Sequence, residues 1–214
     1  MISALWSPWG KSLRSRLIIT SLPWKGDILQ ACAWEERGRI RELRLQTKGR
    51  EDLLGTVWLG QVQKIQPFMN GAFVDIRKGL TCFLSLYEQE LVYPCRNRAL
   101  KAGDEILVQV NREASRRKNP CVTAKISLSG KYMVLNRGTG GVGISQKLSK
   151  VERARLRAIA MSFALPPHTE LILRTSAHDV EEHILEKEFL SLKKELEELL
   201  HRADTRNIYA QLKG

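Results

Sequence analysis

Between residues 55 and 127, apolar and polar positions alternate in five short runs, at 56–64, 71–76, 81–84, 105–111 and 122–127. Each run is rich in β-branched residues and bounded by Gly, Pro, Asn or a charged cluster. A period of two sends successive side chains to opposite faces, so each run reads as a half-buried strand. Five short strands at this spacing predict a small closed β-barrel of the OB type. Three more alternating runs, at 17–20, 28–34 and 39–45, precede it. Near the other end, Leu185, Phe189, Leu192, Leu196 and Leu199 recur at steps of three and four within residues 179–200, after Asp179, Glu181 and Glu182. That is an amphipathic helix with its acidic residues at the favourable end. The expected fold class is α+β: a five-stranded OB barrel, flanking strands, an α/β segment and a C-terminal helix.

Within 71–76, alternation turns Ala72, Val74 and Ile76 toward a core and leaves Phe73 and Asp75 on the other face. Phe83 lies in the next run, where cross-strand pairing brings the rings together as a platform for stacking bases. A core position for both rings fits the periodicity equally well. Charge favours the platform. The chain carries a net +12, and residues 111–160 hold twelve Lys and Arg against Glu113 and Glu152, a net +10 (12 − 2). Arg112, Arg116, Arg117 and Lys118 form a basic loop before the last strand of the barrel. Such an excess points to a polyanion whose counterions are released on binding, and single-stranded RNA suits a barrel with exposed rings. A membrane surface fits less well, since the segment lacks an apolar face with aromatic anchors. No apolar run approaches the eighteen or so residues of a membrane span.

The 214 residues suit one or two small domains. Residues 1–15 contain Trp6 and Trp9 but no apolar stretch of a signal peptide, and read as an irregular extension. Cys32, Cys82, Cys95 and Cys121 are scattered without a CxxC, so the sequence supports neither a zinc ribbon nor a disulfide framework, and a reducing cytoplasm is expected. His168, His178, His183 and His201 form no HExxH, and the last three fall in or beside one polar helix.

Several stretches, in order, carry a resemblance: "GTVWLGQVQKIQPFMNGAFVDI", "FLSL", "GDEILVQVNREASRRKNPCVTAKISLSGKYMVL", "GGVGISQKLS" and "LILRTSA". With the weaker "RLIITSLPWKGDILQ", they resemble the N-terminal half of bacterial endoribonucleases of the ribonuclease E/G family, from Arg16 to about His201. The resemblance implies that the barrel is an S-one-type RNA-binding domain in which Phe73, Phe83 and Lys118 hold RNA. It also implies a 5′-end sensor after the barrel, with Arg174 and Thr175 gripping a 5′ monophosphate and Gly130 and Val134 lining the pocket. A guanidinium fork and a hydroxyl are suitable donors for phosphate oxygens.

In the family, a catalytic domain follows the sensor, with two aspartates for magnesium and a cysteine motif for a zinc link. Asp27, Asp52, Asp75, Asp104, Asp179 and Asp204 lie in no segment resembling that motif; Asp75 is expected to close a strand and Asp179 to open the helix. The expectation is a chain without catalytic residues, magnesium or zinc of its own. The implied organisation is an extension at 1–15, a partial ribonuclease H-like β segment at 16–53, the OB domain at 54–127, the sensor at 128–177, and a helix with a truncated tail at 178–214. A strand edge and the apolar helix face would then lack their family partners, implying a homo-oligomer or a complementing catalytic polypeptide. Three functions follow: a non-catalytic binder of single-stranded RNA in RNA processing, including rRNA processing, or decay; an endoribonuclease whose catalytic half comes from another chain; or a translation-associated OB-fold protein, which would need neither Arg174 nor Thr175.

Overall fold

The computed structural model describes residues 15–47, 52–87, 93–94, 99–114, 118–138 and 140–214. The extension up to residue 14, Cys95, Arg116 and Arg117 lie outside these residues. Two compact units emerge, Met1–Asp52 and Leu53–Gly214. The first is an antiparallel meander of β1 (Ser15–Trp24), β2 (Asp27–Glu36) and β3 (Arg39–Thr47). Its two turns, Lys25-Gly26 and Arg37-Gly38, place both central residues at positive φ, the twist that two-residue hairpins favour. The strands run past their alternating cores because the ends also pair in register, Trp24 opposite Asp27 and Ser15 opposite Glu36.

The second unit opens with β4 (Val57–Gln66), β5 (Gly71–Arg77), β6 (Leu80–Ser85), β7 (Glu105–Arg112) and β8 (Cys121–Thr123). They run in the order β4-β5-β6-β8-β7, and β7 returns to β4 to close a five-stranded OB barrel. All neighbours are antiparallel except β6 and β8. Val62, Ala72, Val74, Ile76, Leu84, Ile106, Val108, Val110 and Val122 fill the interior.

The run at 122–127 does not form one strand. Cys121–Thr123 closes the barrel, the chain bends at Ala124 and Lys125, and β9 (Ile126–Ser129) joins a different sheet. The break is held by Gln109 of β7, whose buried side chain takes the peptide groups that a ladder would have taken. Its Oε1 accepts from Ser127 N at 2.8 Å, and its Nε2 donates to the Ser127 carbonyl at 3.1 Å and to the Gly55 carbonyl at 2.9 Å.

That second sheet adds β10 (Met133–Arg137), β11 (Gly141–Ile144) and, after α1 (Lys150–Ser162), β12 (Thr169–Leu173), in the order β11-β12-β10-β9. α2 (Glu182–Thr205) follows, and β13 (Gln211–Lys213) pairs with β4. The apolar stripe of α2 is not left bare, contrary to the sequence expectation. Leu185, Phe189, Leu192 and Leu196 pack with Leu135, Leu156, Leu171 and Leu173, and Leu199 packs with Val57, Leu107 and Leu212 on the outside of the barrel. Asp179 does not open this helix. It sits at φ +54, the left-handed region, and its amide donates to Glu152 Oε1 at 3.1 Å, so regular helix begins only at Glu182. Asp75 lies within β5, two residues from its end, and accepts from Thr81 Oγ1 at 2.6 Å.

Candidate RNA-binding surface

Strand register assembles one row of side chains across the outer face of the barrel. Lys64 on β4 lies opposite Phe73 on β5, Phe73 opposite Phe83 on β6, Phe83 opposite Cys121 on β8, and Cys121 opposite Arg112 on β7. The two rings touch edge to face, with centroids 5.8 Å apart and planes at 67°, a favourable arrangement that leaves both half-exposed. Neither belongs to the barrel core. Gly71 helps place Phe83: a Cβ there would overlap the ring of Phe83, so only glycine lets the ring lie against the β5 backbone.

Both ends of the row depend on irregularities. Val62 and Val110 are buried, so strict alternation would send Lys64 and Arg112 inward with them. Bulges between Val62 and Lys64 and between Val110 and Arg112 turn both cations outward. Arg112 Nη2 contacts Cys121 Sγ at 2.8 Å. A groove of about 420 Å³ beside Phe83 is lined by Ser85, Asn111, Arg112, Cys121 and Val122. Lys118 is exposed on the loop before β8. Sequence reasoning omitted Lys64, because a bulge is invisible to a period of two. It also omitted Phe68, which is fully exposed at 101% on the turn joining β4 to β5 and which only its place between Pro67 and Asn70 could have marked as a loop residue.

The residues expected to sense a 5′ end gather around the β9–β10 turn. Arg174, just past β12, donates through Nη1 to the Gly130 carbonyl at 2.9 Å, and its amide donates to the Tyr132 carbonyl at 2.8 Å. Thr175 Oγ1 lies 2.8 Å from Ser145 Oγ, a hydroxyl that sequence reasoning did not single out. Val134 pairs with Ile172, so it shares the face of Arg174 two positions along the sheet. Arg174, Thr175 and Ser176 are all exposed. Lys131 covers the Tyr132 ring at 4.8 Å; its ammonium is held above the usual range chiefly by the Tyr132 hydroxyl, with the charge of Glu188 contributing less.

The remaining expected chemistry is structural. Burial pushes the Cys82 thiol up to about 12, leaving it unionised and inert. Arg155 beside Glu152 holds that carboxyl down at about 2, against the opposing effect of burial. Among the described residues, no group of three or more His, Cys, Asp or Glu is placed to hold a metal ion. Among the same residues, no helix is long and apolar enough to cross a membrane.

Comparison with known proteins places this architecture. The Ribonuclease E/G family model matches residues 127–213, from β9 through β13. Ribonuclease E of Synechocystis sp. strain PCC 6803 is 33% identical over 186 residues, covering 83% of this chain and 27% of that protein. The chain belongs to the ribonuclease E/G family. Ribonuclease G of Escherichia coli K12 is 26% identical over 196 residues, covering 85% of this family member and 40% of the relative. Ribonuclease E of the same strain is 31% identical over 150 residues, covering 64% and 14%. The chain thus spans well under half the length of these curated relatives.

Proposed function

We propose that this ribonuclease E/G family member binds single-stranded RNA along the outer row of its barrel and reads a 5′-terminal monophosphate at Arg174 and Thr175, in cytoplasmic RNA processing or decay. The row Lys64–Phe73–Phe83–Cys121–Arg112 carries the reading: two half-exposed rings on a rigid sheet, with a cation at each end. Stacking on an aromatic face is worth about 1–3 kcal/mol per base whatever the base, and the flanking cations suit the phosphates on either side. For the 5′ end, Arg174 rests one guanidinium nitrogen on the Gly130 carbonyl, leaving its Nε–Nη2 edge for bidentate contact with a phosphate.

Fluorescence anisotropy with a labelled single-stranded RNA tests the first half. Phe73→Ala and Phe83→Ala should each weaken binding by about 1–3 kcal/mol at an unchanged melting temperature. Full affinity in both variants would remove the row from the binding site. For the second half, RNA with a 5′ monophosphate should bind about tenfold more tightly, or better, than the same RNA with a 5′ hydroxyl, because one charge-assisted hydrogen bond supplies at least that much.

The partial span of the relatives favours a second reading, in which RNA hydrolysis arises when another polypeptide supplies the metal-binding half. It predicts that the purified chain leaves RNA intact in magnesium and that adding the catalytic segment of a relative restores cleavage. Cleavage by the chain alone would contradict this division of labour.

A further inference from the structure

The central residues of the β9–β10 turn, Lys131 and Tyr132, present backbone N–H groups outside the strand ladder. Both donate to the carboxylate of Glu188, from the second turn of α2. Tyr132 N lies 3.0 Å from Oε2 and 3.2 Å from Oε1, and Lys131 N donates to Oε1. The same carboxylate fills the space that a Cβ on residue 130 would need, so an alanine there would push it from this seat. The carbonyls of the turn go to the segment after β12: Gly130 O accepts from Arg174 Nη1 at 2.9 Å, Tyr132 O from Arg174 N at 2.8 Å, and Lys131 O from Ser176 Oγ at 2.6 Å. The turn is therefore held through its amides by α2 and through its carbonyls by Ser176 and by Arg174, the guanidinium proposed to meet the phosphate.

We infer that Glu188 is a positioning residue for the anion site at Arg174 and Thr175. Holding the Lys131 and Tyr132 amides fixes the Gly130 carbonyl, and that carbonyl fixes the guanidinium. The tether also decides where an anion binds. Two adjacent amides form a small anion-binding nest; with an internal carboxylate seated there, an incoming phosphate is left to the guanidinium edge and the Thr175 hydroxyl. Glycine at position 130 thus serves the carboxylate rather than the ligand. The inference rests on the 5′-monophosphate reading above.

The test compares affinities of the full chain for one single-stranded RNA carrying a 5′ monophosphate or a 5′ hydroxyl. In the unmodified chain the monophosphate RNA should bind about tenfold more tightly or better. In Glu188→Ala that ratio should fall close to one while affinity for the hydroxyl RNA stays as it was. Excess formate at constant ionic strength, refilling the vacated amides, should restore the ratio in Glu188→Ala but not in Arg174→Ala. If Glu188→Ala does not fold, Glu188→Gln decides, since it keeps the size but offers one acceptor oxygen: a reduced ratio supports the role and an unchanged one overturns it. A ratio preserved in folded Glu188→Ala overturns this inference and leaves the phosphate reading standing. A ratio of one in the unmodified chain overturns both. Loss of affinity for the hydroxyl RNA as well, without formate rescue, makes Glu188 a general folding contact and overturns the positioning role.

Discussion

At residue scale, the candidate surface depends on a few side chains aimed by local exceptions. Alternation set Phe73 on the face opposite Ala72 and Val74, which are fully buried while it is not, but a core position fitted the period equally well until charge was weighed. Cross-strand pairing also anticipated its partnership with Phe83, but the cations at the ends of the row required two bulges, which no spacing announces. Gly71 is the finest of these exceptions. Gly71→Ala should push the Phe83 ring off the β5 backbone and weaken RNA binding toward the level of Phe83→Ala, with melting nearly unchanged; full affinity would mean that the ring's seat does not matter. At the other site, Arg174→Ala combined with Thr175→Ala should abolish any preference for a 5′ monophosphate and leave hydroxyl RNA binding nearly intact, as parallel titrations would show.

At the scale of elements, the barrel and α2 were readable and α1 was not. The apolar period of α2 runs unbroken over five positions, whereas α1 buries Leu156, Ile159 and Ala160 among arginines that mask the stripe. Its one clear signal was Ser149 three residues before Glu152, the spacing of a capping box, and Ser149 Oγ does accept from Glu152 N at 3.2 Å. Glu152 itself turns elsewhere: Arg155 Nη2 donates to its Oε1 at 2.7 Å and Arg155 Nε to its Oε2 at 3.0 Å, while the Asp179 amide also binds Oε1. Arg155 in turn reaches the Val180 carbonyl at 3.1 Å. With its carboxyl at about 2 in the fold against 4.5 ordinarily, Glu152 contributes stability that is complete above about pH 4.5 and is lost as pH falls toward 2. Glu152→Gln should melt lower at neutral pH and lose part of that acid dependence; an identical pH profile would remove the pair from the stability of the fold. Leu196→Ala should cost about 2–5 kcal/mol by chemical denaturation, because the side chain is buried between α2 and the sheet.

For the whole molecule, net charge overstated the free positive surface. Of the basic residues between 111 and 160, Arg137 is buried with its guanidinium 4.7 Å from the Tyr93 ring, Arg155 is paired with Glu152, and Lys125 lies 3.2 Å from Glu170. Composition counts charges but does not see their partners. Among the described residues of that stretch, the exposed cations are divided between the barrel, with Arg112 and Lys118, and the rest of the second unit, with Lys131, Lys147, Lys150 and Arg157. Replacing Arg112, Arg116, Arg117 and Lys118 together by Ala should flatten the slope of log affinity against log salt by roughly three, at about 0.7 per phosphate contact on single strands. An unchanged slope would remove this loop from the RNA path. The central claim, that RNA lies on the outer row of the barrel, is tested most directly by ultraviolet cross-linking of a bound single-stranded RNA, with the attached nucleotides located by mass spectrometry. The account predicts adducts at Phe73, Phe83 and Cys121, which are lost when excess unlabelled RNA competes. Cross-links confined to the peptides of α1 and the β11–α1 connection, with none on the barrel, would contradict it.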